Sequence, residues 1–293
     1  FDLSFLKDPT NRYFAKLNYS EQLTEIPGNI TLTDFYTRPR YSRTPEDFGT
    51  EKVNSISIGS QNILDTGTRF SNIFKFEDKD QTTSALSGGR YILAKTNLET
   101  STFSSKLIKK YKFNNLDLKS KFGVDFFKSD YRAIGNNWSQ VKYHNIASQN
   151  IIEPFGIFEF NHSSNKKIDY EIGFRYHYYE LDTDNYTTKT SLSSDDRQNY
   201  AWSLGANYNL QNGQKLFSHV SRSYRSPRLD EIISLISPSP GHTHIDHQYS
   251  NDIELGYELI EKKQRYKASI FRTLIKNQIY LNQTTLNNEN FDP

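Results

Sequence analysis

Apolar side chains recur at every second position through long stretches of this chain. Between Gln198 and Leu210, Tyr200, Trp202, Leu204, Ala206, Tyr208 and Leu210 share one face, and Asn199, Ser203, Gly205, Asn207 and Asn209 share the other. Ile168 to Tyr178 repeats the alternation, with Ile168, Tyr170, Ile172, Phe174, Tyr176 and Tyr178 opposite Asp169, Glu171, Gly173, Arg175 and His177. Leu116, Leu118, Phe122, Val124 and Phe126 stand against Asp117, Lys119, Lys121 and Asp125, and Ile253, Leu255, Tyr257 and Leu259 against Asp252, Glu254, Gly256 and Glu258. A period of two means strands, and one wet face means an antiparallel sheet.

The connections narrow the architecture. Tight turns are predicted at Asp65 to Gly67, Asn114-Asn115, Ser163 to Lys167, Gln211 to Gln214 and Glu261 to Gln264, a repeat of about 49 residues that reads as a two-strand unit. Long polar connections are predicted between them, at Glu21 to Thr50, Asp78 to Ala94, Arg132 to Gln149, Asp182 to Arg197 and Arg225 to Gln248. Strands of about 11 to 15 residues, with short turns on one side and long loops on the other, describe an antiparallel transmembrane β-barrel with periplasmic turns and extracellular loops. Tyr200 and Trp202 at one end of an outward face and Tyr208 at the other fit aromatic girdles. The competing reading is a soluble β-rich module, a sandwich or solenoid, serving adhesion or carbohydrate binding.

About 11 strands are expected, from Asn11 to Tyr19 through Arg265 to Leu281. An odd antiparallel set cannot close, and lipid tolerates no open edge, so residues 1–293 are expected to be part of one barrel domain. Composition agrees: 35% of residues are hydrophobic, yet there are 20 Tyr and 20 Phe, side chains suited to surfaces apolar at one end and wet at the other. No apolar run is long enough for a transmembrane helix. The formal net charge of +2 gives no reason to expect nucleic acid as a partner. Cys is absent, which removes disulfides, thiolate chemistry and Cys-ligated metals, and no cofactor is predicted. Met is absent as well, so a processed chain or internal fragment is expected.

Three ordered segments carry a family resemblance. Val220-Ser221-Arg222-Ser223-Tyr224-Arg225-Ser226-Pro227, with Asp230-Glu231 just beyond it, is similar to the strand-to-loop box of TonB-dependent outer-membrane receptors. The usual form there is nearer Gly-Phe-Arg-Ala-Pro with Glu-Leu after it, so Ser223, Tyr224, Ser226 and Asp230-Glu231 depart from it. Tyr249 to Tyr257 resembles the family's Ser-x-x-Tyr-Glu-Leu-Gly strand and Lys267 to Ile279 resembles the next, while Asn290-Phe291-Asp292-Pro293 is similar to the family's segment beyond that strand. Glu25 to Thr31 with Phe35 and Arg38-Pro39-Arg40 looks like an extracellular loop of the ferric citrate branch. The resemblance implies a barrel of about 22 strands around a plug domain. It also implies a monomer in outer-membrane lipid that imports a bound iron complex, ferric citrate or a siderophore, with energy from TonB. Plug, TonB-contacting segment and C-terminal strands are expected to lie outside this chain.

Chemistry and loop position single out candidate ligand-binding residues. Arg38, Arg40 and Arg43 cluster in the first long loop beside Tyr36 and Tyr41, and guanidinium forks grip carboxylates bidentately; pairing with Glu46, Asp47 or lipid anions is the bland alternative. His242, His244 and His247 put three of the 7 His into one loop, where imidazoles could ligate a transition metal or haem iron with Asp246 assisting. Such tracts are also often simply solvated, and the spacing is no zinc signature. Haem receptors of the family place a His in this loop, so a haem or free-metal receptor is the alternative reading. Arg225 and Arg228 flank Pro227 with Asp230 and Glu231, either as a grip or as an ion-paired loop root, and Trp138, Tyr143 and His144 could stack on a planar ligand. No nucleophile elbow, phosphate loop or His-Glu-x-x-His motif occurs, and an enzyme is not expected.

Overall fold

The computed structural model describes residues 2–25, 31–38, 40–42, 44–65, 67–87, 90–136, 140, 142–162, 168–186, 190–210, 212–234, 241–242, 245–261, 264–282, 284–285 and 287–292. For 2, 87, 190–196, 234 and 241–242 only the backbone is described. In chain order the elements are β1 (Asp2–Asp8), β2 (Asn11–Glu25), α1 (Leu32–Thr37), β3 (Phe48–Asp65), β4 (Thr68–Ser87), β5 (Arg90–Lys112), β6 (Leu116–Asn136), β7 (Lys142–His162) and β8 (Ile168–Asn185). They continue with β9 (Thr190–Asn209), β10 (Gln214–Arg225), α2 (Leu229–Ile232), β11 (Ile233–Ser234), β12 (Gly241–His242), β13 (Gln248–Glu261), β14 (Gln264–Lys276), β15 (Gln278–Asn282) and β16 (Asn287–Phe291). One antiparallel sheet runs β1 to β10 in order and then β13 and β14; β11–β12 and β15–β16 form separate two-stranded sheets.

The main sheet has 12 strands, one more than the alternation predicts. The extra one is β1, which pairs with β2 from Asp2↔Lys16 to Asp8↔Asn11 but carries an irregularity between Leu6 and Asp8. Adjacent apolar Phe5 and Leu6 point to opposite faces and break the alternation, so Leu3-Ser4-Phe5-Leu6 does not read as a strand. At the other end, the single strand expected over Arg265 to Leu281 is two. Asn277 has φ 52°, and the backbone leaves the main sheet there for the β15–β16 hairpin. An even strand number removes the parity argument for an open sheet, although β1 and β14 are its two ends and are not paired with each other among the described residues.

Three of the five long connections are overturned as well. Pairing of β4 with β5 continues out to Ser87↔Arg90, of β6 with β7 to Asn136↔Lys142, and of β8 with β9 to Asn185↔Thr190. These strands hold 18 to 23 residues. Roughly 9 to 11 tilted residues cross a bilayer, so about half of each strand stands outside it. There the sequence turns polar on both faces, which hides the strand from a hydrophobic pattern, while the backbone ladder needs no apolar side chains. Only residues 26–47 and 226–247 remain long connections.

The sheet's two faces differ as the pattern requires. On one, Ile56, Ile58, Phe74, Tyr170, Ile172, Phe174, Trp202, Leu204, Leu216 and Leu255 are all exposed. So large a contiguous apolar surface marks a membrane or partner contact. Tyr176 lies directly opposite Tyr200 at its upper edge, and Tyr208 lies eight residues below Tyr200, about 26 Å along the strand, close to the height of a barrel's apolar band. The other face is polar. Cross-strand Gly–Phe pairs punctuate the sheet: Gly59 faces Phe14, Gly123 faces Phe155, Gly156 faces Phe174 and Gly256 faces Phe217. In each the ring lies where a Cβ would stand, as close as 2.1 Å at Gly256, so glycine makes room for an aromatic to cover the bare backbone.

Candidate functional site

β10 has 12 residues beside a β9 of 20, and their pairing ends at Arg222↔Trp202. The segment after β10 therefore leaves the sheet below the tips of β8 and β9. Pro227 offers no N–H for further pairing, the Arg228 N–H is accepted by Glu231 at 2.9 Å, and the short turn of α2 comes next. α2 folds inward. Leu229, Ile232 and Ile233 pack onto the polar face against Tyr131, Ala133, Tyr143, Ala147, Tyr179 and Leu181, none more than 6% exposed. Burying each aliphatic side chain contributes about 1.5–3 kcal/mol, and this cluster holds most of the buried hydrophobic residues among those described.

A directed set of polar contacts fastens the same segment. Glu153 on β7 accepts from the Arg175 guanidinium, from His177 Nδ1 at 2.7 Å and from the Tyr224 hydroxyl at 2.9 Å. Arg175 also reaches Asp125 at 2.9 Å. With Nδ1 donating to a carboxylate, His177 Nε2 is the acceptor, and Ser226 Oγ donates to it at 2.9 Å. The same Ser226 oxygen accepts from His247 Nδ1 at 3.1 Å, and the His247 ring stands edge-on to those of His177 and Tyr179 at 5.5 Å. Both ends of the 226–247 connection thus meet at His177, which is 1% exposed. Glu153, His177 and Ser226 stand in the order of acid, base and nucleophile. Their chemistry is different: His247 occupies the same serine oxygen, and Glu153 is shared with Arg175 and Tyr224, which makes the group a clasp.

From outside, the β15–β16 hairpin closes over the segment. Asn288 Nδ2 donates to the Glu231 carbonyl and Asn290 Nδ2 to the Asp246 carbonyl, both at 3.0 Å, while Arg197 donates to the Ile245 carbonyl at 2.8 Å. Between the inward-folded segment and the sheet lies a cavity of about 570 Å³. Lys79, Gln81, Thr96, Ser129 and Gln149 present amine, amide and hydroxyl groups from four strands, and Ser226 to Asp230 form the opposite wall. This is space for an oxygen-rich solute held by many neutral hydrogen bonds and a few charges.

The structure brings together some predicted residues and separates others. Arg225 is ion-paired with Glu231, so it secures the loop root. His247 is in the clasp, 3% exposed. For His242 only the backbone is described, paired with Ile233, and His244, Trp138 and Arg43 lie outside the described residues. Among the described residues no group of three His, Cys, Asp or Glu is arranged to hold a metal. Arg38 caps α1, pairs with Asp34 and lies 4.1 Å over the Tyr41 ring, and the hydrogen bond it donates to the Asp34 carboxylate raises its pKa. Arg40 is exposed. Of the third-loop aromatics, Tyr143 is core and His144 stacks on Tyr186 at 5.1 Å. Sequence reading missed Glu153, Tyr224 and Ser226 as partners. The available signal was the polar face of β8, where Arg175 and His177 interrupt a run of Asp, Glu and Gly.

Comparisons with known proteins agree with this architecture. The chain superposes on the unliganded ferric citrate transporter FecA with TM-score 0.81 at 13% identity, covering 94% of this chain and 42% of that one. The ferric-catecholate import receptor Fiu from E. coli K12, in its closed form, gives 0.73 at 13% identity, with 99% and 52% covered. The ferric yersiniabactin uptake receptor FyuA from Yersinia pestis gives 0.71 at 11%, with 93% and 44% covered. This chain spans about half the length of these structures or less, and none of the curated proteins matches it in sequence. The family model described as TonB dependent receptor-like, beta-barrel matches residues 2–292, and members of that family are transporters rather than enzymes. The chain belongs to the family of TonB-dependent receptor-like β-barrels.

Proposed function

We propose that the protein containing this chain is an outer-membrane receptor that captures an iron chelate, ferric citrate or a siderophore, on its loop side and imports it with energy from TonB. The observation that carries the reading is the cavity walled by Ser226 to Asp230, where the chain folds inward after β10. It lies on the polar face of a sheet whose other face is apolar, and oxygen-seeking side chains from β4, β5, β6 and β7 line it. The solved structures that share the fold are named for ferric citrate, ferric catecholate and ferric yersiniabactin. Arg40 and Arg43, both in the first long connection of the sequence, supply further cationic grip for the chelate. A monomer, with plug and TonB-contacting segment supplied by the rest of the polypeptide, completes the proposal. The haem or free-metal alternative would use His242, His244 and His247, but Ser226 already engages His247.

The test is titration of the whole receptor in detergent with ferric citrate, a ferric hydroxamate and haem, comparing wild type with the His242, His244, His247 triple alanine variant. Tight ferric chelate binding that survives the triple change is expected. Haem binding that the variant abolishes would replace this reading with the haem one.

A further inference from the structure

The outward, apolar face of β9, β10, β13 and β14 carries charge of one sign. Among the residues that share a face with Trp202 and Leu204, none from Gln198 to Tyr208, from Leu216 to Arg222, from Tyr249 to Leu259 or from Tyr266 to Lys276 is Asp or Glu. The charged ones are Arg222, Arg272 and Lys276. On the same face of β4 to β8 the charges are mixed. Asp78, Glu99, Asp130 and Asp182 lie in one register row just beyond the apolar band, and Lys128 stands 3.6 Å from Asp130.

The register gathers the three cations. Arg222 lies opposite Asn251 and Asn251 opposite Leu274, while Arg272 and Lys276 stand two residues to either side of Leu274. Two strand spacings and one two-residue step put Arg222 about 12 Å from each of them at the backbone, and long flexible stems let the charged ends converge. Arg222 is held in place. Its guanidinium carbon lies 4.5 Å from the centre of the Tyr200 ring and 4.7 Å from that of Tyr249, and Nη1 donates to the Tyr200 hydroxyl at 3.2 Å. A planar cation between two rings keeps one orientation. Its Nε meets no acceptor, and among the described residues none of the three cations lies in an ion pair. Tyr200 marks the upper edge of the apolar face, and Arg222 is level with Trp202, the next outward residue below it. Leu204, Val220, Ile253 and Arg272 form the row beneath.

We propose that Arg222, Arg272 and Lys276, with Tyr200 and Tyr249, form a docking site on the outer wall for a lipid whose headgroup carries phosphate. Charge complementarity selects the occupant. Three cations with no carboxylate among them match a group of high negative charge, and guanidinium forks bind phosphate oxygens in pairs. The aliphatic row beneath takes acyl chains, which a free phosphate lacks, and Tyr with Arg or Lys is the side-chain set that holds a membrane interface. Because the site is on the face opposite the cavity walled by Ser226 to Asp230, its lipid is not the transported solute. The inference rests on the membrane reading of the apolar face and is independent of which solute the polar face carries.

The experiment is native mass spectrometry of the whole receptor in a neutral detergent, titrated with lipid A, which carries two phosphates, with lipid A stripped of both, and with sodium phosphate as competitor. Wild type is compared with Arg222→Gln, with Arg272→Gln/Lys276→Gln, which leaves the Tyr200–Tyr249 sandwich intact, and with Lys128→Gln elsewhere on the same face. Saturable binding of lipid A by wild type is expected, at least tenfold weaker in Arg222→Gln and in the double variant, unchanged in Lys128→Gln, and at least tenfold weaker for the stripped lipid. Equal binding of the two lipids by wild type, or unchanged affinity in the double variant, overturns the site. Displacement of lipid A by sodium phosphate at equal phosphate concentration also overturns it, and makes the cluster a site for a free anion. No binding of lipid A together with a lowered Tm in the variants overturns it as well, and assigns the cations to carboxylates of a neighbouring strand of the same polypeptide. Insertion of wild type into phosphatidylcholine liposomes is measured in parallel by flotation. Its failure defeats the membrane reading alone, because the titrations in detergent do not depend on it.

Discussion

Ser226 Oγ stands 2.9 Å from His177 Nε2, joining residues 49 apart in sequence at the point where the 226–247 segment turns inward from β10. Ser226→Ala removes this bond and the one to His247, leaving two buried imidazole nitrogens without the hydroxyl that served both. Each lost buried bond costs about 1–3 kcal/mol, but the cost falls on a docked segment and not on the strand ladder. Hydrogen exchange of residues 226–233 is expected to rise tenfold or more while exchange across β4 to β7 is unchanged. Unaltered exchange in the segment would show that the serine does not fasten it.

Ile232 carries the apolar half of the same docking. It is 2% exposed and packs with Leu229 and Ile233 against the sheet. Ile232→Ala leaves a cavity and should weaken the contact by about 2–5 kcal/mol. Limited proteolysis should then cut within 226–247 at protease concentrations that leave wild type intact, and the Tm of the whole protein should move by only a few degrees. A large fall in Tm without new cleavage would mean that the segment and the barrel unfold as one unit.

Arg175 neutralises two carboxylates, Asp125 and Glu153, with side chains 16% and 13% exposed. Arg175→Ala strands both. Breaking a fully buried pair costs about 3–5 kcal/mol; with the guanidinium a third exposed, screening reduces this to about 1–3 kcal/mol. Adding Glu153→Gln removes one of the stranded charges, so the double variant should recover part of the loss in thermal melts. Additive losses would refute the coupling.

The period of two made the sheet, its polar and apolar faces and the turn positions legible, because every second side chain of β6, β8, β9 and β13 meets one environment. Strand ends were not legible. Beyond the apolar band, stretches such as Gln81 to Ser84 on β4 are polar on both faces while the backbone ladder continues, and that ladder leaves no hydrophobic period in the sequence. The clasp was half legible. Arg175 and His177 stood out on a face of Asp, Glu and Gly, and the Ser-Pro step marked the loop root. That Glu153, His177, Ser226 and His247 converge depends on β10 stopping short of β9, a difference in strand length that no local motif encodes.

Asp8, at the turn between β1 and β2 and beyond the apolar band, gives a pH prediction. Hydrogen bonds from the Thr10 hydroxyl, the Asn11 side chain and the Thr10 backbone lower its pKa from 3.8 to about 2. The folded value is below the unfolded one. The stabilisation is therefore complete above the unfolded value and disappears as pH falls through the folded one. The carboxyl carbon shift of Asp8 in labelled protein should stay flat from pH 8 to about 4 and titrate near 2. A midpoint near 4 would show that Thr10 and Asn11 do not hold the carboxylate.

The Gly–Phe pairs predict a specific coupling. A Cβ on Gly256 would stand 2.1 Å from the end of the Phe217 ring, with two more ring carbons within 2.7 Å, so Gly256→Ala must push the whole ring off the strand. Overpacking of this kind costs about 1–3 kcal/mol. Phe217→Leu alone uncovers the glycine backbone and loses ring contacts. Combined with Gly256→Ala it frees the space that the new methyl needs. The two single variants should each lower the Tm of the detergent-solubilised protein, and the double variant should melt above the Gly256→Ala single. Melting of the double variant at the sum of the two losses would show that the ring does not depend on the glycine, and that Gly256 serves backbone conformation alone.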